Sequence, residues 1–351
     1  MKKNRILYLS GASFKNPTAQ LIHVLKMSSA LCEFYEVDLF VFNKNKDTNL
    51  SSYSLVSEPN IISFNIKKIS VSLQLIYALF KQLLTFRYKA IITRNVVVAF
   101  ICSILNIKFI YETHDAFRGT LKNIFESRVF KSKSLIKFVV ISKRLAMDYK
   151  DLFDCHPVVC HDAADIFSLV IPIRNEVKKV FYVGSLYRGR GIEIIQKLAM
   201  QNKDLDFHIY GGKKSYSEQN MHYHGFASQI EIQEAVSNAD ILLMPYQTKL
   251  ETANGGIDTA RWMSPMKMFE YMSFGIPIIS SDLPVLREVL NTQNSVLVEP
   301  SNVKNWNDAL VNLLNNRSLR SKIAMNAKTD HKNHYTWSQR AKVFHEFISI
   351  S

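Results

Sequence analysis

The sequence predicts an α/β protein built from two doubly wound domains, each around a parallel sheet. Short apolar runs that suit buried strands alternate with longer segments of helical spacing along most of the chain, which is the pattern of strand-helix-strand units. The length of 351 residues is enough for two domains of ordinary size. A new series of strands starts at Lys179, after a polar and basic stretch. We therefore expect an N-terminal domain over residues 1–172, a C-terminal domain over 173–334 and a final helix over 335–351.

The N-terminal domain begins with a strand at 6–9 that leads into a polar loop containing Gly11 and Ser13. The elements expected after it are a helix at 20–31, a strand at 37–42, a helix at 71–88, a strand at 90–93, a helix at 96–105 and strands at 107–111 and 138–142. His114 follows the strand at 107–111, and in doubly wound sheets ligands bind beyond the carboxyl ends of strands. His114 therefore suits contact with a polar ligand, although a histidine at a strand end is as often part of a hydrogen-bonded structure.

The clearest local pattern lies at 264–282. Ser264 suits the N-cap of a helix, Pro265 its first helical position and Gly275 a left-handed end, after which 276–279 begins a buried strand. A helix N-terminus favours an anion, whereas Lys267 is a cation in the first turn. An anionic ligand explains both features. Glu270 lies on the same face as Lys267, and the alternative is a simple exposed Lys267–Glu270 pair.

A second glycine-rich loop occupies 184–191. It follows a strand at 180–183 and precedes a helix, and it carries Arg188 and Arg190. Small residues in such a loop let a phosphate approach the backbone, and cations at the start of the next helix again point to an anion. A loop with two glycines, Asn254-Gly-Gly256, precedes the 264–282 segment and is expected to be mobile.

The run Ser264-Pro-Met-Lys267-Met-Phe-Glu270-Tyr, followed by the segment 275–282 and by Arg287-Glu288, resembles the donor site of retaining glycosyltransferases of family 4 (glycosyl transferases group 1). It is the Ser-Pro-x-Lys-x-x-Glu-Tyr variant of that motif. The similarity extends through most of the C-terminal half and more thinly through the N-terminal half. It implies the GT-B fold, in which two Rossmann-like domains face a cleft and the C-terminal helix crosses back to the first domain.

The resemblance also implies roles for individual residues. Arg190, Lys267 and the backbone at 264–266 would stabilise the leaving diphosphate, Glu270 would hold the ribose, and His114 would contact the transferred sugar or the acceptor. The remaining donor-site residues that it implies are Gly184, Ser185, Arg188, Gly211, Phe226, Tyr246, Ser264, Pro265 and Met266, and Gly11 and Ser13 belong to the acceptor-side loop. Neither a metal nor another cofactor is expected, because the arginine and lysine side chains would neutralise the diphosphate.

Two positions depart from the family pattern. Ser185 stands where an arginine is expected, and Arg188 is the candidate substitute. Trp262 stands where many members carry a glutamate that touches the donor sugar. These departures support a second hypothesis, that the chain is a catalytically degenerate scaffold that binds a sugar nucleotide or a membrane. A sugar-nucleotide 2-epimerase, which can share this architecture, is a third hypothesis.

The formal net charge of +14 permits an anionic partner. The basic residues are scattered and form no known nucleic-acid module, so nucleic acid is not expected. Residues 122–137 interleave basic and apolar side chains as a membrane-surface helix does, although a solvated helix face has the same pattern. No apolar run reaches the roughly 18–20 residues of a membrane span. Taken together with the family resemblance, which implies the transferase activity, these features lead us to expect a cytoplasmic, peripherally membrane-bound hexosyltransferase of bacterial surface polysaccharide (lipopolysaccharide or capsule) synthesis, with a glycan or lipid-linked acceptor.

Two further sequence patterns weakly resemble metal-binding motifs. The pairs Cys155-His156 and Cys160-His161 lack the spacing of a zinc framework, and the four cysteines show no disulfide pattern. Asp204-Leu-Asp206 has the form of a metal-binding pair of the other glycosyltransferase fold, but it precedes a strand instead of following one. Neither signal predicts a metal site.

Overall fold

The computed structural model describes residues 3–15, 18–45, 48–65, 67–116, 119–251 and 258–351, so the loop predicted at 254–256 lies outside the described residues. The chain forms two compact units. The first contains Met1–His161 with Trp337–Ser351, and the second contains Asp162–Thr336. The boundary falls at 161/162 and not at 172/173, because Phe167 and Ile171 pack into the core of the second unit. No helix in the described ranges has both the length and the apolar character needed to cross a membrane.

The described part of the first unit contains a seven-stranded parallel sheet with the order β3-β2-β1-β4-β5-β6-β7. Its strands are β1 (Arg5–Ser13), β2 (Glu36–Phe42), β3 (Asn60–Phe64), β4 (Ala90–Thr93), β5 (Phe109–Thr113), β6 (Leu135–Val140) and β7 (Val158–Val159). The apolar runs are continuous because helices cover both faces of such a sheet. The order reverses between β1 and β4, as in doubly wound folds.

Strand β1 is longer than the sequence predicts. Gly11 and Ser13 belong to it and do not lie in a loop, because Ser13 pairs with Phe42 after a register shift that follows Leu9. The Asn43 amide also donates to Ser13 Oγ at 2.7 Å. These contacts extend the strand to Ser13.

In the described part of the first unit, the α-helices that come before the boundary at His161 are α1 (Ala19–Leu31), α2 (Val71–Leu83), α3 (Val96–Ile104), α4 (Thr120–Phe130) and α5 (Lys143–Leu152). The side chain of Asn95 caps α3 by accepting from the N–H groups of Val97 and Val98. The prediction of one membrane-surface helix over 122–137 is wrong, because α4 ends at Phe130 and β6 begins at Leu135. The basic residues after Phe130 therefore lie in a turn and a strand.

The second unit repeats the same strand order in its described residues, β10-β9-β8-β11-β12-β13. Its strands are β8 (Lys179–Val183), β9 (Asp206–Glu218), β10 (Met221–Gly225), β11 (Ile241–Met244), β12 (Ile278–Ser281) and β13 (Val296–Val298). The predicted pair of doubly wound α/β domains is therefore confirmed. The second switch point lies between β8 and β11, which carry Gly184 and Tyr246 just beyond their carboxyl ends.

Strand β9 is long because it continues past Gly212 to Glu218. Its first half pairs with β10 in parallel, with Ile209 opposite Tyr223, and its second half pairs with the other edge of β10, with Tyr216 opposite the same Tyr223. The partner numbers in this second half descend from Glu218 to Ser215 as β10 advances, so the returning half runs opposite to β10. The returning segment covers an edge that would otherwise expose unpaired backbone groups.

The second unit contains the helices α6 (Ile192–Gln201), α7 (Gln229–Val236), α8 (Met266–Phe274), α9 (Val303–Asn315) and α10 (Arg317–His334). Helix α8 begins one residue later than predicted. Pro265 occupies the N-cap position, while Ser264 Oγ accepts a 3.0 Å hydrogen bond from the Asp162 N–H instead of capping the helix. Gly275 ends α8 with φ of 67°, as predicted.

The last helix, α11 (Trp337–Ile350), belongs to the first unit and packs on α1. A buried ion pair holds it: Arg340 Nη2 donates to Glu112 Oε1 at 2.9 Å, and both side chains are shielded from solvent. Arg340 also donates to the carbonyl groups of His161 and Cys160. Burial alone would raise the pKa of Glu112, but Arg340, His23 and His114 together hold it well below its ordinary value.

We expect Arg340→Leu to lower the free energy of unfolding of the first unit by about 3–5 kcal/mol at pH 7, because it leaves the Glu112 carboxylate buried without its main partner. The pKa of Glu112 is depressed in the folded protein, so its contribution is present above the ordinary value of 4.5 and is lost as pH falls. Without Arg340 this pKa rises. The difference between variant and parent should therefore shrink in acid, which urea unfolding at two pH values measures.

The matched control is Lys342→Leu, an exposed position on the same helix, which should stay within about 0.5 kcal/mol of the parent. Pairing Arg340→Leu with Glu112→Leu should recover part of the lost stability, since the uncompensated charge is then removed. A double variant that is less stable than Arg340→Leu would contradict this account of the pair.

Candidate functional site

The carboxyl ends of β8 and β11 and the start of α8 meet in the second unit. Tyr271 on α8 fixes this arrangement, because its hydroxyl accepts a 2.7 Å hydrogen bond from the N–H of Val183 at the end of β8. Tyr182, the residue before Val183, donates from its hydroxyl to the carbonyl of Ser185 at 2.7 Å. Two buried tyrosines thus shape the loop that follows β8.

Lys267, in the first turn of α8, points its ammonium group into this region. Its Nζ is buried and has no hydrogen-bond acceptor among the described residues. It lies 3.9 Å from the centroid of the Tyr182 ring and 4.6 Å from that of Tyr246. Aromatic faces attract a cation, but they leave its N–H groups without acceptors.

Arg190 is a second cation of this region. Its guanidinium carbon lies 4.9 Å from the centroid of the Tyr246 ring, and its Nε is buried without a hydrogen-bond partner in the described ranges. Burial, followed by the charge of Arg190, lowers the pKa of Lys267 well below its ordinary value, while Glu270 opposes the shift. The site therefore holds a buried ammonium group beside a half-buried guanidinium whose Nε is shielded from solvent, and an anion would stabilise both.

Glycine is required at two points of this loop. Gly184 has a φ of 151°, and a Cβ placed there would lie 2.9 Å from Lys267 Nζ. Gly191, the N-cap of α6, has a φ of 78°, and a Cβ there would lie 1.9 Å from the carbonyl oxygen of Pro245. Both positions allow a backbone approach that no side chain permits. The glycines therefore let the loop pack directly against Lys267 and against the backbone at Pro245.

The structure brings together most of the predicted donor-site residues. Gly184, Arg190, Tyr246 and Lys267 surround one region, and Gly211 packs so closely on the backbone of Gly184 that a Cβ there would clash. Pro265 and Met266 form the start of α8 beside it.

Other predicted residues lie outside this group. The side chain of Arg188, the candidate substitute for the arginine missing at Ser185, is 85% exposed and pairs with Glu251, so the structure does not bring it to this group. Phe226 is 75% exposed, and Ser264 Oγ accepts from Asp162. Glu270 is half-buried on α8 one turn after Lys267, and Trp262 is half-buried in the turn before that helix.

His114 belongs to a separate cluster in the first unit. Its Nε2 lies 2.5 Å from Glu112 Oε1, which His23 Nε2 also approaches at 3.4 Å. Because the pKa of Glu112 is held low, the carboxylate accepts, and Nε2 of His114 carries the proton. The rings of His23 and His114 meet edge to face, with centroids 5.0 Å apart. His114 is therefore fixed in tautomer and orientation.

Four residues of these two regions were not among the predicted site residues: Tyr182, Tyr271, His23 and Glu112. Glu112 had a readable signal, since it lies two residues before His114 at the end of a strand and therefore faces the same side. Tyr271 stands inside the 264–272 motif. Tyr182 and His23 have no local signal, because only the packing of other elements brings them to the site.

Residues 190–346 match a family model described as glycosyl transferase-like, which is somewhat less than half of the chain. Among proteins of curated function, none matches by sequence.

Solved structures match over the whole chain. A glycosyltransferase from Rickettsia africae has a TM-score of 0.75 at 13% identity, with 100% of this chain and 99% of that chain covered. HepE of Anabaena, solved with UDP, has a TM-score of 0.73 at 14% identity, with both chains fully covered. The lipopolysaccharide outer core galactosyltransferase WaaB, in its apo form, has a TM-score of 0.65 at 16% identity, with 99% of each chain covered. At these identities the likeness shows the fold, and the fold is the predicted GT-B type.

Proposed function

We propose that this protein is a glycosyltransferase that moves a sugar from a nucleoside diphosphate sugar to a glycan or lipid-linked acceptor, with retention at the anomeric carbon. The observation that carries the proposal is the pair of buried cationic nitrogens, Lys267 Nζ and Arg190 Nε, that have no hydrogen-bond acceptor among the described residues. A diphosphate supplies the acceptors and the negative charge that both groups need.

The chemistry follows from where charge develops. When the bond from sugar to phosphate breaks, negative charge builds on the leaving diphosphate, and fixed cations aimed at it lower the barrier. Lys267 and Arg190 would provide these cations, and the first N–H groups of α8 would add unpaired donors and the positive end of the helix dipole. No metal would be needed to neutralise the leaving group.

The remaining roles are assigned by position. Glu270, one turn after Lys267, would accept hydrogen bonds from the ribose hydroxyls. His114 would contact the transferred sugar or the acceptor hydroxyl, with its ring held by the hydrogen bond from Nε2 to Glu112. Retention and the family 4 assignment rest on the Ser-Pro-x-Lys-x-x-Glu-Tyr motif at 264–271.

Two similar structures support narrower choices. HepE was solved with UDP, which makes a uridine nucleotide the first donor to test. WaaB is named as a galactosyltransferase of the lipopolysaccharide outer core, which supports an acceptor of the bacterial surface polysaccharide class for this protein. We place the protein at the cytoplasmic membrane face as a peripheral protein. The exposed Leu121 and Ile124 on α4, next to Lys122, support that placement.

The first prediction concerns nucleotide binding. From a panel of UDP, GDP, ADP and CMP, one nucleoside diphosphate should raise the melting temperature selectively, and Lys267→Met should weaken its binding about 10–100-fold through the loss of a charged hydrogen-bond donor. Glu270→Ala should weaken the binding of the diphosphate by removing its ribose contact. Calorimetric titration measures each affinity.

The matched control is Lys197→Met, an exposed lysine on α6, which should bind as the parent does. If none of the four nucleotides stabilises a well-folded sample, the donor-site proposal is wrong and the scaffold hypothesis gains weight. If a nucleotide binds normally but no sugar is transferred or hydrolysed, the protein has a nucleotide-binding site but lacks the proposed transferase activity.

The second prediction concerns the uptake of a proton by Lys267 when a nucleoside diphosphate binds. The pKa of Lys267 is lowered in the free protein, and a bound diphosphate should raise it, so binding should take up a proton between the two pKa values. Affinity should then fall as pH rises through that window. Titrations at a series of pH values above the phosphate pKa of about 6 should show, within that window, an enthalpy that depends on the buffer's ionisation enthalpy. Lys267→Met should abolish this dependence.

The third prediction concerns the loop. Gly184→Ala should weaken nucleotide binding by about tenfold or more, because its Cβ would displace Lys267 Nζ and the residue has a left-handed φ. Gly119→Ala is the control, since a Cβ at Gly119 meets no atom within 4 Å. Unchanged nucleotide affinity in Gly184→Ala would show that binding does not depend on the present position of Lys267 Nζ.

A further inference from the structure

A group of histidines lies on one face of the second sheet, away from the donor region. Asp206 and His208 are two residues apart on β9, and His222 and His224 are two residues apart on β10. Alternate residues of a strand share a face, and the register pairs His222 with His208. The four side chains therefore stand side by side on the same face.

The nitrogens and oxygens of this group are close enough to share an ion. One ligand atom each from Asp206, His208 and His222 lie within 4.8 Å of one another, and His222 Nε2 is 3.4 Å from Asp206 Oδ1. Two ligands of a tetrahedral zinc ion, each about 2.0–2.1 Å from the metal, stand roughly 3.3 Å apart. The aspartate and His222 already have this separation, and small side-chain rotations would bring in His208.

The second ring nitrogen of each histidine is already engaged. His208 Nδ1 lies 3.0 Å from His224 Nε2, and His222 Nδ1 lies 3.1 Å from Ser217 Oγ. Histidines that bind metals almost always have their other nitrogen held in this way, which fixes the ring and its tautomer. Ser217 comes from the returning half of β9, so the extension of that strand supplies this contact.

His208 Nε2 distinguishes the group from a stack of aromatic rings. It is buried and has no hydrogen-bond partner in the described part of the chain, although the ring packs on Phe181. A buried polar nitrogen without a partner is costly, and a metal ion would satisfy it. The Asp206 and His222 side chains remain 50% and 30% exposed, so an ion has access from solvent.

We propose that Asp206, His208 and His222 form a binding site for a divalent transition metal such as Zn²⁺, with His224 and Ser217 orienting the two imidazoles. Two histidines and one carboxylate leave at least one coordination position for water or another ligand. Bound metal would connect β9 to β10 at the edge of the sheet. The pair Asp204 and Asp206 considered from the sequence is not the ligand set, since Asp204 precedes β9.

This site is distinct from the proposed donor site. Asp206 and His222 lie at the beginning of their strands. Gly211, at the end of the first half of β9, and Gly225, at the end of β10, lie on the side where Gly211 packs on Gly184 of the donor region. Lys179 pairs with Asp206 in the register of β8 and β9, and its charge opposes the metal. We therefore expect moderate affinity.

A second trio of possible ligands, His23, Glu112 and His114, must be separated from this one. There the Arg340 guanidinium donates to the carboxylate oxygen that a metal would need, and its charge repels a cation. The experiment has to include a variant of each trio, because the chemistry of their ligands is the same.

The test uses the full-length chain without a histidine tag. Titration with Co²⁺ should produce a visible absorption spectrum of histidine-bound cobalt at one ion per chain, and Zn²⁺ should displace it. His208→Ala and His222→Ala should each lose this spectrum, and His224→Ala should weaken binding about 10–100-fold as the loss of an orienting partner. His114→Ala, and His334→Ala at an exposed position of α10, should bind as the parent does.

Loss of the cobalt spectrum in His114→Ala with binding retained in His208→Ala would overturn the proposal, as would a parent protein that shows only the spectrum of hydrated cobalt. Should an alanine variant fail to fold, His208→Gln replaces it, and retained binding in that variant also contradicts the proposal. Nucleotide binding by the same samples, read separately, shows whether the donor site is intact.

Discussion

A desolvated positive charge dominates the second unit. The Lys267 ammonium lies against the rings of Tyr182 and Tyr246 and beside the backbone of Gly184, where it meets no hydrogen-bond acceptor of the described chain. Removing a cation from water without a partner is expensive, and its lowered pKa reports that cost. The surrounding elements hold this charge in place. Tyr271 connects α8 to β8 through a hydrogen bond, and Gly184 lets the loop after β8 lie against the Lys267 ammonium group.

The first unit contains a buried charge handled in the opposite way. Glu112 is fully enclosed, yet Arg340 donates to it at 2.9 Å and two histidines approach the same oxygen. This carboxylate is compensated by the protein itself, so it fixes α1, β5 and α11 to one another and orients His114. The contrast is chemically informative, because a compensated buried charge stabilises the fold, whereas a buried charge without a partner marks a candidate binding site.

Strand pairing explains the histidine group in the same physical terms. Each of the four ligand-type residues stands at an alternate position of β9 or β10, and only the parallel register of these strands places them side by side. The returning half of β9 then adds Ser217 beside His222. An edge strand that doubles back thus protects the sheet and also completes the surroundings of the imidazoles.

Much of the architecture was predictable because strand-type and helix-type patterns are local. The alternation of buried runs with helical spacing predicted both parallel sheets, and Gly275 predicted the end of α8. The errors lie where a tertiary contact outweighed a local preference. Ser264 has the character of a cap but binds the N–H of Asp162, and the 122–137 pattern divides between α4 and β6 because the sheet takes up its second part.

Some features of the candidate site were also predictable from the sequence, and others depend on tertiary packing. The sequence by itself determined that Lys267 and Glu270 share a face of one helix and that glycine loops carry arginines near helix starts. Only the tertiary structure decided that Arg190 faces the Tyr246 ring while Arg188 turns to solvent. It also decided that the Lys267 ammonium group is buried among tyrosines from three separate segments. Distances between residues remote in sequence, and the loss of solvent around them, arise from packing, which no local pattern encodes.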